Sequence, residues 1–140
     1  MEYILRKTGL VLIAISMATP AYSADLSAIT GTWKTDDADG RVEIFDCGDG
    51  TPCGRLTNVT DPSFVDSFNP DPSLRHRHLQ GVVILEGFKE NRRAFIRGTI
   101  YNPGNGKSYR SSLMLTDTGQ LQVKGCVLFF CQSQYWARAE

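Results

Sequence analysis

The sequence predicts an all-β protein in which about eight antiparallel strands form an up-and-down barrel. Short runs rich in β-branched and aromatic residues alternate with clusters of turn residues, among them many of the 13 glycines and 6 prolines. No stretch shows a convincing amphipathic helical period. A closed barrel leaves no exposed sheet edges, and this favours it over the alternative, a β-sandwich.

Eight runs are predicted to be strands because turn residues bound each of them. Alternation is clearest where Tyr109, Ser111, Leu113 and Leu115 share one face, which is typical of an antiparallel sheet with one buried side. The predicted strands are residues 29–35, 41–47, 53–60, 80–88, 92–101, 107–116, 120–126 and 131–139.

Length and charge narrow the class of protein. A chain of 140 residues is long enough for one domain. Its 15 Lys and Arg balance 15 Asp and Glu, so it lacks the basic excess typical of nucleic-acid or anionic-membrane binders. With 41% hydrophobic residues, the composition is that of a folded domain.

The first 24 residues resemble a secretory signal peptide. Arg6 and Lys7 precede an uncharged apolar run over residues 9–19, and Ala21 and Ser23 form a small-x-small exit. The run is much shorter than the ~20 residues of a membrane-spanning helix, so we expect cleavage and no membrane span. Residues 25–140 are then a single exported domain, either periplasmic or secreted.

All four cysteines lie within the predicted mature domain, which agrees with export and predicts two disulfides. We favour Cys47–Cys53 and Cys126–Cys131, because each pair flanks a short connection between two strands. The other two pairings remain open. A four-cysteine zinc site is disfavoured, since neither spacing is a CxxC motif.

Residues 61–79 form a long connection that contains three Asp-Pro or Asn-Pro steps. Prolines at these points exclude a helix and a central strand, and a loop of this length is often functional. We expect an ordered lid at one end of the barrel.

The same loop contains the candidate ligand-binding residues Asp66, Asn69, Arg75 and Arg77. Two guanidinium groups could bind a carboxylate or phosphate at the barrel mouth. In the alternative interpretation, the arginines pair with nearby aspartates and only fix the loop. A metal site at His76 and His78 is disfavoured because the neighbouring arginines repel cations, and we expect no metal and no cofactor.

Four consecutive apolar residues, 127–130, lie at a predicted hairpin tip between Cys126 and Cys131. If they are exposed, Phe129 and Phe130 would bind an envelope protein or a membrane surface. If they are buried, they are a plug that closes one end of the barrel.

Trp33 and Arg138 lie in the first and last predicted strands, which are neighbours in a closed barrel. The guanidinium group can therefore stack on the indole ring and, together with Trp136, close the barrel. A Gly-x-Trp motif at residues 31–33 and an arginine near the end resemble the signature of lipocalin-like, or calycin, barrels.

Read in order, the motifs resemble the bacterial exported family catalogued as domain of unknown function 2147. The resemblance implies a periplasmic or secreted lipocalin-like barrel without an established activity. His76 and His78 depart from the family pattern and are not expected to be site residues. The motifs that carry the resemblance are residues 31–35, 42–47, 53–55, 66, 69–77, 81, 87–88, 101–103, 106–109, 121–126 and 136–138.

No arrangement of residues indicates catalysis, and no nucleophile with an adjacent base stands out. We therefore expect an exported module that binds a small apolar or amphiphilic molecule. An amphiphilic ligand could carry an anionic head. The alternatives are an envelope protein that acts through its surface and, less favoured, a hydrolytic enzyme using Asp66, Arg75 or His76.

Overall fold

A computed structural model describes residues 13–18, 23–36 and 39–140, which contain one antiparallel sheet of nine strands. A short helix, α1 (Leu26–Ile29), precedes the sheet, and a 3-10 helix (Pro72–Leu74) lies in the loop of residues 61–79. The strands are β1 (Gly31–Lys34), β2 (Arg41–Asp46), β3 (Pro52–Asn58), β4 (Val83–Glu86), β5 (Lys89–Asn91), β6 (Ala94–Asn102), β7 (Lys107–Leu115), β8 (Leu121–Val127) and β9 (Phe130–Arg138).

Eight of these strands form a closed barrel, as the sequence predicts. β1 pairs with both β2 and β9, while β4 pairs with both β3 and β6, so that the sheet returns to its starting strand. β5 pairs with β6 as an additional strand. The predicted strand over residues 80–88 ends earlier, at Glu86, and Gly87 adopts a φ of +76° before β5 begins.

Helix α1 was not predicted from the sequence. It has four residues, which is too few to show a helical period, and the Asp25 side chain caps it by accepting a hydrogen bond from the Ser27 N–H. Its last residue, Ile29, is buried in the barrel core. Most of the predicted signal peptide, residues 1–12 and 19–22, lies outside the described residues, and no described helix is long and apolar enough to span a membrane.

The alternating strand directions define the two ends of the barrel. Helix α1 and the β2–β3 and β7–β8 turns lie at one end, which we call the helix end. The β6–β7 and β8–β9 turns and residues 61–79 lie at the other, the loop end. Large apolar side chains fill the core, and the largest that are fully buried include Trp33, Trp136, Leu113 and Leu121.

Both favoured disulfides are present. Cys47 and Cys53 bridge the β2–β3 turn at the helix end, and Cys126 and Cys131 bridge the β8–β9 hairpin at the loop end. Each bond therefore closes one tight connection between neighbouring strands. The pairing leaves no free cysteine in the described part of the chain.

Arg138 connects the last strand to the first strand and to α1. Its guanidinium carbon lies 4.2 Å from the centre of the Trp33 ring, in the stacking arrangement expected from the sequence. Nη1 donates to the Thr30 carbonyl oxygen at 2.9 Å and Nη2 to the Ala28 carbonyl oxygen at 2.6 Å. Gly31 leaves space for this group, because a Cβ at that position would lie 2.9 Å from Arg138 Nη1.

The indole of Trp33 completes the connection by donating from Nε1 to the Ile29 carbonyl oxygen at 2.8 Å. The pairing between β1 and β9 is short, with only Trp33–Arg138 and Lys34–Ala137 in register. Residues 130–136 of β9 therefore extend beyond the last pair with β1, although β8 pairs with them on the other side.

Replacing Arg138 with Lys should weaken the closure, because an ammonium group cannot bind both carbonyl oxygens and stack flat on Trp33. We expect a loss of about 1–2 kcal/mol in the free energy of unfolding, measured by urea denaturation. Arg110→Lys, at an exposed position of the same sheet, is the matched control. An equal unfolding midpoint for Arg138→Lys and wild type would contradict this role.

Candidate functional site

Asp66, the first of the predicted ligand-binding residues, is the centre of a buried hydrogen-bonded cluster. Its carboxylate accepts hydrogen bonds from Tyr101 Oη at 2.5 Å, from Asn69 Nδ2 at 2.7 Å and from Arg77 Nε at 2.9 Å. Arg77 Nη2 also forms an ion pair with it at 2.8 Å. The side chain of Asp66 is fully buried, so none of its surface is accessible to a ligand.

Burial and hydrogen bonding act in opposite directions on these groups. Burial raises the pKa of Asp66, but the hydrogen bonds from Tyr101, Asn69 and Arg77 outweigh it, so the pKa lies below the usual value. Burial and the hydrogen bond to Asp66 raise the pKa of Tyr101 to about 12. The cluster therefore contains a stable carboxylate and a neutral phenol at neutral pH.

Other hydrogen bonds lie within the loop itself. Arg75 Nε donates to the Asn69 carbonyl oxygen at 2.8 Å, and Val65 forms an antiparallel bridge with His78. Arg77 pairs with an aspartate, as in the alternative interpretation, whereas Arg75 binds a backbone carbonyl oxygen, and both contacts fix the loop. The described residues contain no cluster suited to a metal ion.

The loop is anchored to the outer face of the barrel wall. Ile100 points inward, since its Cγ2 lies 3.7 Å from where a Cβ of Gly125 would be, and the next residue, Tyr101, therefore points outward. An open cleft of about 670 Å³ lies between the loop and this wall, lined by Arg77, Tyr101 and Ser108 among others. The predicted ligand-binding residues thus lie outside the barrel interior.

The interior differs between the two ends of the barrel. Towards the helix end, the inward-facing Phe95, Leu113, Leu121, Val123 and Trp136 are buried and fill the space. Towards the loop end, the same faces of β7, β8 and β9 carry smaller or polar residues. These are Tyr109, Ser111, Gly125, Gln132 and Gln134.

Ser111 lies at the boundary between these two regions. It is 3% exposed, and its Oγ has no hydrogen-bond partner among the described residues. Its paired neighbours are Gly98 and Gly125, so neither neighbour places a side chain of its own beside it. The Phe88 ring fills the position that a side chain at Gly98 would take. At Gly125, by contrast, a Cβ could be added without a close contact.

Beyond Ser111, the inward-facing glutamines are open to solvent. Gln132 and Gln134 are exposed, and Tyr109 is partly exposed. Sequence reasoning did not identify this set of residues. The sequence feature that could have indicated it is the alternation in β7, which places Ser111 on the same face as the core residue Leu113.

The apolar segment of residues 127–130 is exposed and does not plug the barrel. Leu128, Phe129 and Phe130 are 86%, 97% and 82% exposed, and Val127 is half exposed. We call these four residues the apolar tip. Among the described residues they are the most exposed run of large hydrophobic side chains within the barrel.

Replacing Asp66 with Asn should destabilise the loop, because a neutral amide is a weaker acceptor for Tyr101 and Arg77. We expect a loss of about 2 kcal/mol in the free energy of unfolding at neutral pH, and faster proteolysis within residues 61–79. Asp117→Asn, in the exposed β7–β8 turn, is the control.

The lowered pKa of Asp66 sets the pH dependence of this difference. The carboxylate contributes its stability above the unfolded-state pKa of about 3.9 and loses it as the pH falls through the lower folded-state value. The difference in unfolding free energy between wild type and Asp66→Asn should therefore become smaller as the pH is lowered. A difference that stays the same at low pH would contradict a charged carboxylate in this cluster.

Comparisons with known proteins agree with this architecture. The family model described as "Uncharacterized protein conserved in bacteria (DUF2147)" matches residues 31–138. A solved structure described as "Protein HP1028 from the human pathogen Helicobacter pylori belongs to the lipocalin family" is similar, with a TM-score of 0.71, 25% identity, and coverage of 80% of this chain and 83% of that chain. No curated protein matches. The chain therefore belongs to the DUF2147 family and has a lipocalin-like barrel.

Proposed function

We propose that the protein is an exported module that binds a small apolar or amphiphilic molecule in the loop end of its barrel, without catalysis. The observation that carries the proposal is the unpaired, buried hydroxyl of Ser111 beside the free space at Gly125. Buried polar groups are normally hydrogen-bonded, and an exception next to missing side chains indicates a place for a ligand group. The lipocalin-like fold agrees with small-ligand binding in general.

The residues along this part of the interior suggest the chemistry of the ligand. Ile100 and Tyr109 offer apolar surface, while Ser111 and Gln132 offer uncharged polar groups. The side-chain oxygen of Gln134 already accepts a hydrogen bond from Trp136 Nε1 at 2.8 Å. Lys107, two residues before Tyr109 on the same face of β7, is exposed near the rim. An apolar molecule with one polar end would match these side chains, and Lys107 suits an anionic head better than Arg77, which is paired with Asp66.

Export is the second part of the proposal. The basic start, apolar run and small-x-small exit within residues 1–24 support a cleaved signal peptide. The two disulfides support folding in an oxidising compartment such as the periplasm. The mature protein would begin near residue 24 or 25.

The amphiphilic dye 1-anilinonaphthalene-8-sulfonate provides a direct test. Gly125→Val should fill the space beside Ser111 without distorting β8, since a Cβ there makes only ordinary contact with Ile100. We expect dye binding, followed by fluorescence titration, to weaken by about tenfold or more because the side chain occupies the site. The matched control is Ser112→Val, which makes a β-branched replacement on the outer face of the neighbouring strand.

A second variant tests the hydroxyl itself. Ser111→Ala removes an unpaired buried donor and should leave the unfolding free energy unchanged or raise it. A clear loss of stability would show that Ser111 already has a partner. Dye binding that is equal in Gly125→Val and wild type would contradict a site in the barrel.

The exposed apolar tip favours a second candidate function, in which the protein also acts through its surface. The exposure of Phe129 and Phe130 supports an interaction with another component of the cell envelope. This surface lies on the β8–β9 hairpin, and it can act whether or not the barrel contains a ligand.

A further inference from the structure

We propose that the apolar tip and the basic wall behind it form a docking surface for an anionic lipid bilayer. The ligand is a membrane surface with negatively charged headgroups, and the tip lies in its interfacial region without crossing it. This inference does not depend on ligand binding in the barrel, because it uses the outer face of the strands and the hairpin turn.

The first observation is the shape of the tip. Its four apolar residues end the β8–β9 hairpin, and Phe129 at its apex is 97% exposed. The Cys126–Cys131 disulfide joins the two strands directly behind these residues and limits their freedom to fold back. A protruding, fixed group of Leu and Phe side chains is suited to insertion among lipid headgroups.

The second observation is a separation of charge that the zero net charge conceals. Residues 25–90 contain six Lys or Arg and twelve Asp or Glu, whereas residues 91–139 contain seven Lys or Arg and a single Asp. Strands β6–β9 are contiguous in the barrel and carry five Lys or Arg and no Asp or Glu, so the wall that they form is basic. Strands β1–β4 carry three residues of each charge. A net charge of zero does not exclude binding to an anionic membrane when the positive charges are concentrated on one wall.

The tip belongs to the basic wall. Arg110 pairs in register with Cys126, immediately behind the tip, and it is exposed. Lys124 precedes Cys126 by two residues on the same outer face of β8. Residues 118–139 contain no Asp or Glu, so no acidic side chain of this hairpin opposes an anionic surface.

A lipid surface fits these features better than a second copy of the chain does. The four side chains of the tip expose on the order of 500 Å² in total, which is less than the ~800 Å² per partner of a stable protein interface. Unlike a protein partner, a bilayer needs no pocket of complementary shape to accept a protruding hairpin. It also supplies apolar interface for Phe129 and negative headgroups for Arg110 and Lys124 at the same time.

The experiment measures binding of the purified, disulfide-bonded protein to vesicles by co-sedimentation. One set of vesicles contains phosphatidylcholine alone, and the other contains phosphatidylcholine mixed with phosphatidylglycerol. The protein should bind the anionic vesicles and release them as salt is raised. Arg110→Gln and Lys124→Gln should each weaken binding by about fivefold.

The double variant Phe129→Ser/Phe130→Ser should weaken binding by about tenfold or more, with an unchanged urea midpoint because both rings are already exposed. Lys89→Gln, an exposed residue of β5, is the matched charge control and should leave binding unchanged. The N-terminal segment is the same in all variants, so differences in binding among them report on the docking surface.

Depth of insertion gives an independent readout. In Phe129→Trp, the emission of the new indole should shift to the blue when anionic vesicles are added, because the ring leaves water. The native Trp33 and Trp136 are buried and should contribute a constant background.

Three results would overturn the proposal. They are no binding to anionic vesicles, equal binding to neutral and anionic vesicles, and a loss in Lys89→Gln as large as in Arg110→Gln. A dimer in sedimentation equilibrium that the double Phe variant abolishes would assign the tip to a second copy and would also overturn it.

Discussion

The barrel closes where β9 pairs with β1, and Arg138 ties this junction together. It stacks on Trp33 and donates to the Ala28 and Thr30 carbonyl oxygens, so that the last strand, the first strand and α1 form one unit. This unit secures the helix end, where the indole of Trp33 and the buried Ile29 complete the packing. A closed sheet has no continuous free edge, and the rest of the barrel is built around this joint.

The same joint explains why the two ends differ. β1 has four residues and pairs with β9 at two positions, so most of β9 extends towards the loop end without β1 beside it. The inner face there carries Ser111, Gln132 and Gln134 in place of packed apolar residues, and the hairpin projects Phe129 into solvent. The packed apolar core therefore lies towards the helix end, and the loop end is where we propose a ligand site and a surface contact.

Much of the fold could be predicted because it follows local patterns. Alternation and turn residues indicated the eight-stranded barrel, and the spacing of Cys47, Cys53, Cys126 and Cys131 indicated both disulfides. The candidate site was harder, because its parts meet only across strands. The sequence indicated a pair between Asp66 and Arg77, but it gave no sign of Tyr101, which is 35 residues from Asp66. The position of Ser111 could be recognised only from the strand register, which places Gly98 and Gly125 beside it.

The central claim is that the loop end of the barrel contains a site for a small molecule. Native mass spectrometry of the protein, purified gently from an oxidising compartment, tests it most directly, with Gly125→Val measured in parallel. The account predicts a discrete organic adduct on the wild-type protein that is missing from the variant, with two disulfides in both. Bare wild-type protein, or the same adduct on both proteins, would contradict it.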